Sequence, residues 1–329
     1  MSGKRILAVL MVALLISGCS INNYDKQGEV TNDIAVTGDI GAAAGDKIDT
    51  DATSNGKNKT NKNSSELSQP SENQTVATSK DTEGTNSNEK KTAKLDYDML
   101  NSLNNTKYSW GLGLNKEHKT PEVPSSFINL LERYDGIFVG DTNQKKVYLT
   151  FDEGYENGYT SMILDTLKAN NVKATFFVTG PYIEAQTELV KRMLDEGHEV
   201  GNHTINHPSL PDVSNEELEN EIYGLEKAFR EKYGRGFKYI RPPMGEFSER
   251  TLAAAQQLGY KTMFWSFAYA DWDTNNQKGA KYAHDMVMQY IHNGAVILLH
   301  AVSKDNAEAL DSIIKDIRAE GYEISPMDL

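Results

Sequence analysis

The sequence of 329 residues predicts an α/β fold in which helices cover a parallel sheet. From residue 146 onwards, short runs rich in β-branched and aromatic residues alternate with helical stretches, which is typical of parallel sheets. Glycine precedes several of these runs, as expected where a helix ends before the next strand; these are Gly197, Gly259, Gly294 and Gly321. The pattern leaves two architectures open, a doubly wound sheet and a barrel.

The N-terminal segment is predicted to be a lipoprotein signal peptide over residues 1–19. Lys4 and Arg5 precede an apolar run at residues 6–16, which is too short to span a bilayer and has the size of a secretion-signal core. The run ends in ISGC, and Cys19 is the single cysteine of the chain. This ending resembles the bacterial lipobox and predicts lipidation of Cys19, which would anchor the protein on the outer face of the cytoplasmic membrane. An ordinary signal peptide with an incidental cysteine is the alternative.

Residues 20–94 are predicted to be a disordered low-complexity linker. They consist mostly of Asn, Ser, Thr, Lys, Asp, Glu and Gly, which bury too little apolar surface to offset the entropy of ordering. Apolar residues return in a lead-in over residues 95–145, which we expect to pack on a catalytic domain at residues 146–329. The net charge of -13 argues against nucleic acid as a partner, because phosphate binding requires clustered Lys and Arg.

Six runs are predicted as strands of this domain: VYLTF, ATFFV, HEVGN, YIRP, TMFWSF and AVILLH. The clearest helix begins at Ser214, which forms a capping box with Glu217. Its apolar face carries Leu218, Ile222, Leu225 and Phe229. In both candidate architectures, ligands bind beyond the carboxyl ends of the strands, so polar residues that directly follow strands are the functional candidates.

Two groups of such residues suggest a metal centre. Asp152 and Glu153 follow VYLTF, and His203 and His207 follow HEVGN. The four-residue spacing of the histidines would place both imidazoles on one side of a helical turn. Two neutral imidazoles and a carboxylate suit Zn, Fe or Co, with the remaining positions open to water. A surface turn at Asp152 and a coincidental histidine pair are the competing interpretations.

Three further strand ends carry chemically useful side chains. Arg241 lies in RPPMG, Asp271 and Trp272 follow TMFWSF, and His300 ends a fully apolar run. A structural arginine in a Pro-rich turn and a solvated loop acid are the competing interpretations. Together the five groups contain a possible metal triad, a second carboxylate, an arginine and a histidine with an acidic partner. This set suits metal-assisted hydrolysis of an amide.

The motifs TFDEG, HTINH, RPPMG, Asp-Trp and LLH, in this order, resemble the five motifs of the polysaccharide deacetylase family (carbohydrate esterase family 4, NodB-like domain) over residues 146–328. YENGYT, NNQKG, SKDNAEALD and the lead-in further resemble the muramic δ-lactam-forming de-N-acetylases of spore formers, over residues 107–328. The resemblance implies a deformed (β/α) barrel of the NodB-homology type. It also implies a divalent metal, namely Zn, with Co, Mn or Mg as alternatives.

The same resemblance implies a role for each site residue. Asp152 would be the general base, paired with Arg241, and His300 the general acid, positioned by Asp271. The metal ligands would be His203, His207 and Glu153, although the general family has Asp at the last position. The Met244 N–H would donate to the oxyanion, while Trp272 and Leu298 would form apolar walls around the acetyl group.

The implied reaction is N-deacetylation of N-acetylmuramic acid in peptidoglycan, a step towards muramic δ-lactam in the spore cortex. The partners would be glycan strands and, through Cys19, the membrane, with a monomeric catalytic domain. Two alternatives stay open: an N-acetylglucosamine deacetylase of the vegetative wall, and a non-catalytic glycan-binding lipoprotein.

Overall fold

The computed structural model of the chain describes residues 94–329. The predicted signal peptide with Cys19, and the predicted linker up to residue 93, lie outside the described residues. None of the helices within residues 94–329 has the length and apolar character needed to cross a bilayer.

The described residues alternate between strands and helices as the sequence predicts. The strands are β1 Tyr108–Ser109, β2 Gly136–Ile137, β3 Lys146–Glu153, β4 Thr175–Val178, β5 Glu199–Asn202, β6 Tyr239–Ile240, β7 Glu246–Phe247, β8 Lys261–Met263, β9 Ala295–His300 and β10 Glu323–Ile324. The α-helices are α1 Tyr97–Ser102, α2 Ser125–Arg133, α3 Thr160–Ala169, α4 Gly180–Ala185, α5 Thr187–Asp195, α6 Asn215–Glu219, α7 Leu225–Tyr233, α8 Glu249–Gln257, α9 Ala280–Tyr290 and α10 Lys304–Ala319.

The main sheet is parallel and curls into a deformed barrel. Its strands follow the order β9, β3, β4, β5, β6, β8 and β2, and β10 lies beside the start of β3. Two isolated bridges join the far end of this sheet back to β9, Val139 to Ala295 and Phe267 to Ile297. The predicted deformed (β/α) barrel is therefore confirmed, and the doubly wound alternative is excluded.

Alternate residues of β3 face different layers of the molecule. Val147, Leu149 and Phe151 belong to the large apolar cluster that includes the covering helices. Tyr148 belongs instead to a smaller cluster inside the barrel, whose members are Tyr148, Phe177, Tyr239, Met263, Val296 and Met327. Because side chains alternate along a strand, Asp152 is placed on the barrel side and Glu153 on the helix side.

The predicted strands and the helix at Ser214 are confirmed, with two local differences. The run TMFWSF forms a shorter strand than predicted, because β8 ends at Met263 and the chain then leaves the sheet. Ser214 and Glu217 form the predicted capping box. The helix that follows contains one π-helical turn at Asn220–Gly224, between α6 and α7.

The lead-in packs against the barrel beside the RPPMG segment. Its strand β1 pairs antiparallel with β7, directly after that motif. Trp110 stacks on Phe264 with ring centroids 4.4 Å apart, and its indole N–H donates to the Trp265 carbonyl at 2.9 Å. Gly245 has a φ of +67°, and a Cβ there would lie 2.7 Å from the Trp265 ring. Only glycine therefore suits this position.

Candidate active site

The carboxyl ends of the parallel strands bring Asp152, Arg241 and His300 to one edge of the barrel. Asp152 lies at the end of β3, in register with His300 at the end of β9. Arg241 directly follows β6 and donates its backbone N–H to the Asn202 carbonyl at 2.9 Å. Parallel register places these strand ends at the same height, so residues far apart in sequence meet there.

Asp152 and Arg241 form a buried ion pair. The Arg241 Nη1 donates to Asp152 Oδ1 at 2.7 Å, and the arginine side chain is fully buried. Its other nitrogens donate to the carbonyls of Met263 and Phe264, at 3.2 and 3.4 Å. The guanidinium also lies 4.1 Å from the centroid of the Phe177 ring. These contacts satisfy the buried cation, which would otherwise carry a large desolvation penalty.

The ion pair keeps Asp152 ionised. Burial alone raises the pKa of this carboxyl, but the charge of Arg241 and the neighbouring imidazoles of His203 and His300 outweigh it. The pKa of Asp152 is therefore below its ordinary value. An ionised carboxylate whose second oxygen is not bound by Arg241 is able to accept a proton from water.

His203 and His207 meet through a loop, so the predicted helical turn is wrong. Thr204 and His207 both have positive φ, at 67° and 58°, and no helix includes them. Asn202 accepts the Thr204 N–H at 2.8 Å, and the Thr204 hydroxyl accepts the His207 N–H at 3.1 Å. These side chains stabilise a backbone that a β-branched residue rarely adopts. The two imidazole rings nevertheless lie 4.8 Å apart.

Both imidazoles are held in the neutral form. His203 Nδ1 lies 2.9 Å from the Arg241 carbonyl, which only accepts, so this nitrogen carries the proton. Its Nε2 lone pair then faces Asp152 Oδ2 at 3.5 Å. Burial lowers the pKa of His203, and burial with the neighbouring His203 lowers the pKa of His207 to about 3. Neutral imidazole is the form that binds metal ions.

Glu153 lies apart from these histidines. Its fully buried carboxylate faces Thr160, whose hydroxyl is 3.4 Å from the nearer oxygen. Tyr182 donates to the same hydroxyl at 3.3 Å and to Glu156 at 3.2 Å. Burial and the Glu156 charge raise the pKa of Glu153 well above its ordinary value.

The predicted metal triad of Glu153, His203 and His207 is therefore not assembled. Within residues 94–329, no group of three or more His, Cys, Asp or Glu residues is arranged to hold a metal ion. The physical reason is strand alternation, which directs Glu153 towards the helix layer and Asp152 into the barrel. His203 and His207 lie side by side, whereas Glu153 faces Thr160. Their role as metal ligands stays a prediction.

Asp271 and His300 form a second charged pair. His300 Nδ1 lies 2.7 Å from Asp271 Oδ1, and its backbone N–H donates to Asp271 Oδ2 at 2.8 Å. Burial lowers the pKa of His300, but the Asp271 charge and hydrogen bond outweigh it, so the pKa lies above the ordinary value. The His300 side chain is 23% exposed, which leaves Nε2 as the ring nitrogen available to a ligand.

The three predicted substrate-contacting residues differ in environment. Met244 is 47% exposed and has a φ of 57°, which is unusual for a non-glycine residue. Trp272 is 41% exposed beside Asp271, whereas Leu298 on β9 is 4% exposed. Their contacts with an acetyl group stay predictions.

Several polar residues near the site were not singled out by sequence. Thr160 and Tyr182 face Glu153, and Asn306 and Tyr269 adjoin Asp271. Thr160 and Asn306 lie in the first turns of α3 and α10, which follow the site-bearing strands β3 and β9. The position of a polar residue in the first turn after a functional strand was the signal that could have identified Thr160 and Asn306.

Three comparisons with known proteins agree on one family. The family model described as polysaccharide deacetylase matches residues 139–263. The chain is 44% identical over 225 residues to the peptidoglycan-N-acetylmuramic acid deacetylase PdaA of Bacillus subtilis, a span of 68% of this chain and 86% of that protein. It is 36% identical to a peptidoglycan-N-acetylglucosamine deacetylase of Bacillus cereus, over 58% of this chain and 70% of that protein.

Solved structures show the same relationship. The structure of Bacillus subtilis PdaA, a family 4 carbohydrate esterase, matches with a TM-score of 0.67, covering 69% of this chain and 97% of that one. A family 4 carbohydrate esterase from Bacillus anthracis matches with a TM-score of 0.58 at 43% identity, covering 69% of this chain and 97% of that one. The chain therefore belongs to the polysaccharide deacetylase family, carbohydrate esterase family 4, and is a hydrolase of amide bonds.

Proposed function

We propose that the protein removes the N-acetyl group of N-acetylmuramic acid in peptidoglycan. The observation that carries the proposal is the meeting of two charged pairs, Asp152 with Arg241 and Asp271 with His300, at one edge of the barrel. One pair favours the ionised form of a base and the other the protonated form of an acid. Hydrolysis of an amide requires both, because water must lose a proton and the departing amine must gain one.

The first step uses the Asp152 carboxylate. Asp152 takes a proton from water as the water oxygen attacks the acetyl carbonyl carbon, giving a tetrahedral intermediate. Arg241 keeps the carboxylate ionised and oriented through the 2.7 Å bond to Oδ1, which leaves Oδ2 for the water. A positioned base of this kind contributes roughly 100- to 10,000-fold to rate.

The second step uses His300. As the C–N bond breaks, the imidazolium donates its Nε2 proton to the sugar nitrogen, so acetic acid and a free amine leave. Loss of the proton from Asp152 and uptake of one by His300 then restore the starting state. Asp271 raises the pKa of His300 and thereby favours the protonated form of this acid. The intermediate's oxyanion would be stabilised by the Met244 N–H, whose backbone is held in a left-handed conformation. Loss of one such donor typically costs about 2.7–4 kcal/mol.

Polysaccharide deacetylases are generally metal-dependent. In this chain His203 and His207 would hold a divalent ion, and zinc suits two neutral imidazoles with open positions. A bound ion of this kind polarises a carbonyl and lowers the pKa of water. Because Glu153 faces Thr160 instead, the predicted three-ligand set does not fit, and the steps above rest on the chain's own acid and base.

Similarity favours muramic acid over glucosamine as the sugar. The muramic-acid deacetylase matches at 44% identity over 86% of its length, and the glucosamine deacetylase at 36% over 70%. The presence of both charged pairs disfavours a non-catalytic glycan-binding lipoprotein, because binding alone needs neither a base nor an acid. We also propose that the product amine serves muramic δ-lactam formation in spore cortex.

The proposed location is the cell wall, with a monomeric catalytic domain held to the membrane by lipid on Cys19. Support for the anchor comes from the ISGC sequence alone. Labelled fatty acid should enter the wild-type chain and not the Cys19→Ala variant. Labelling of both proteins would contradict the anchor without affecting the proposed reaction.

The reaction is tested with the full chain and peptide-free peptidoglycan glycan strands, with divalent metal supplied. We expect products lighter by one acetyl group, and fragment mass spectra should place the free amine on muramic acid. A free amine on glucosamine would support the alternative sugar. Absence of any acetyl loss from either sugar would refute the proposed function.

A further inference from the structure

The Asp271 carboxylate has hydrogen-bond partners on His300 and on Asn306. Asn306 has no role in the mechanism described above. Asn306 lies in the first turn of α10 and is fully buried. Its Nδ2 donates to Asp271 Oδ2 at 2.5 Å and to the His300 carbonyl at 3.2 Å. The same side chain therefore contacts both Asp271 and His300.

The orientation of the Asn306 amide is fixed by chemistry. A carboxylate and a carbonyl only accept hydrogen bonds, so the NH₂ group must face Asp271 and His300. The Oδ1 atom then faces Tyr269, whose hydroxyl donates to it. Tyr269 thus disfavours the flipped amide, which would present an oxygen to the carboxylate.

Asp271 is held at its backbone by a separate contact. Gln277 Nε2 donates to the Asp271 carbonyl at 3.2 Å, and Gln277 Oε1 accepts from the Ser303 hydroxyl at 2.8 Å. Ser303 is the N-cap of α10, so the loop is tied to the start of this helix. The backbone contact does not restrict rotation of the carboxylate. That rotation is restricted by the His300 backbone N–H at Oδ2 and, from α10, by the Asn306 amide at the same oxygen.

We propose that Asn306 is a positioning residue of the deacetylase reaction: its amide, oriented by Tyr269, holds the Asp271 carboxylate in line with His300 Nδ1. Asn306 does not touch the substrate, since it is buried behind the pair. This inference rests on the proposed roles of Asp271 and His300. It predicts a loss of turnover with little change in substrate binding, because orientation of a proton donor contributes to the reaction and not to affinity.

The experiment compares four full-chain variants with the wild type on the same glycan strands. Asn306→Ala removes the donor, and we expect kcat to fall about tenfold while KM stays within about twofold. Asn306→Asp keeps the shape and the acceptor for Tyr269 but places a like charge beside Asp271, so a larger loss is expected. Tyr269→Phe removes only the hydroxyl that orients the amide, and about a threefold loss is expected.

Ile313→Val is the matched control. Ile313 is fully buried on the same helix and has no polar contact with the site, so this variant should lower the melting temperature without lowering kcat. The alkaline limb of the pH profile is the decisive readout. Asp152 and Arg241 also face His300, as do His203 and His207. All four are unaltered in these variants, so movement of the limb to lower pH would indicate a misaligned Asp271.

With an active wild type, two results would overturn the proposal. The first is an unchanged kcat in Asn306→Ala while the wild type is active. The second is a reduced kcat with an unmoved alkaline limb, which would indicate a purely structural role. If the wild type deacetylates no glycan, the proposed function fails, and NMR titration of His300 then tests the positioning separately. Identical titration in wild type and Asn306→Ala would overturn it, and a lower pKa in the variant would support it.

Discussion

The two faces of β3 place neighbouring carboxylates in opposite environments. Asp152 points into the barrel, where Arg241 holds it ionised and His300 lies in register on the next strand. Glu153 points to the helix layer, where burial and a neighbouring acid favour its neutral form. The difference shows that the surroundings of a carboxylate, rather than its place in a motif, decide its chemistry.

The largest effect is expected for Asp152→Asn. The change keeps the shape of the side chain but removes the base, so kcat/KM on glycan strands should fall roughly 100- to 10,000-fold. The adjacent substitution Glu153→Gln is the matched control, because it makes the same chemical change on the opposite face. Activity of Asp152→Asn within threefold of the wild type would contradict the assignment of the base.

A second, intermediate effect concerns pH. The pKa of His300 is raised, so the protonated acid persists above the ordinary histidine range and is lost as pH rises through the raised value. We expect activity to decline on this alkaline side and the decline to disappear in His300→Gln. The activity that remains in this variant should be at least about 100-fold below that of the wild type. An alkaline limb that survives in His300→Gln would assign the limb to another group.

The smallest effect is expected for Glu153→Gln. Because the Glu153 carboxylate faces Thr160 and lies apart from His203 and His207, kcat should stay within about threefold of the wild type. Zinc content after dialysis, measured by elemental analysis, should equal that of the wild type. If Glu153→Gln loses bound metal while a Thr160→Val control retains it, Glu153 is a metal ligand after all.

Much of the barrel was predictable because its strands are short apolar runs that end at polar residues. VYLTF and AVILLH became β3 and β9, and the capping box at Ser214 formed as expected. The side of the sheet to which Glu153 points could also have been predicted from the sequence. Two-residue alternation along VYLTFDE already separates Asp152 from Glu153, and family resemblance outweighed that signal in the prediction.

Other features were beyond sequence reasoning for physical reasons. The spacing of His203 and His207 suggested a helical turn, but the loop depends on side-chain bonds from Asn202 and Thr204 that stabilise positive φ. Such bonds form only after the chain has turned, so periodicity does not reveal them. The position of Asn306 against Asp271 likewise depends on how α10 packs, across 35 residues of chain.

The contact of Trp110 with the segment that follows β8 has a practical consequence for where the catalytic domain should be cut. The family model starts at residue 139, yet Trp110 covers Phe264 and bonds the Trp265 carbonyl from outside that boundary. A fusion protein that begins at residue 139 would lack Trp110. The rings of Phe264 and Trp265 would then lose this contact beside the strained turn at Met244. We therefore expect the transferable unit to start near Leu95, which is buried in the same core.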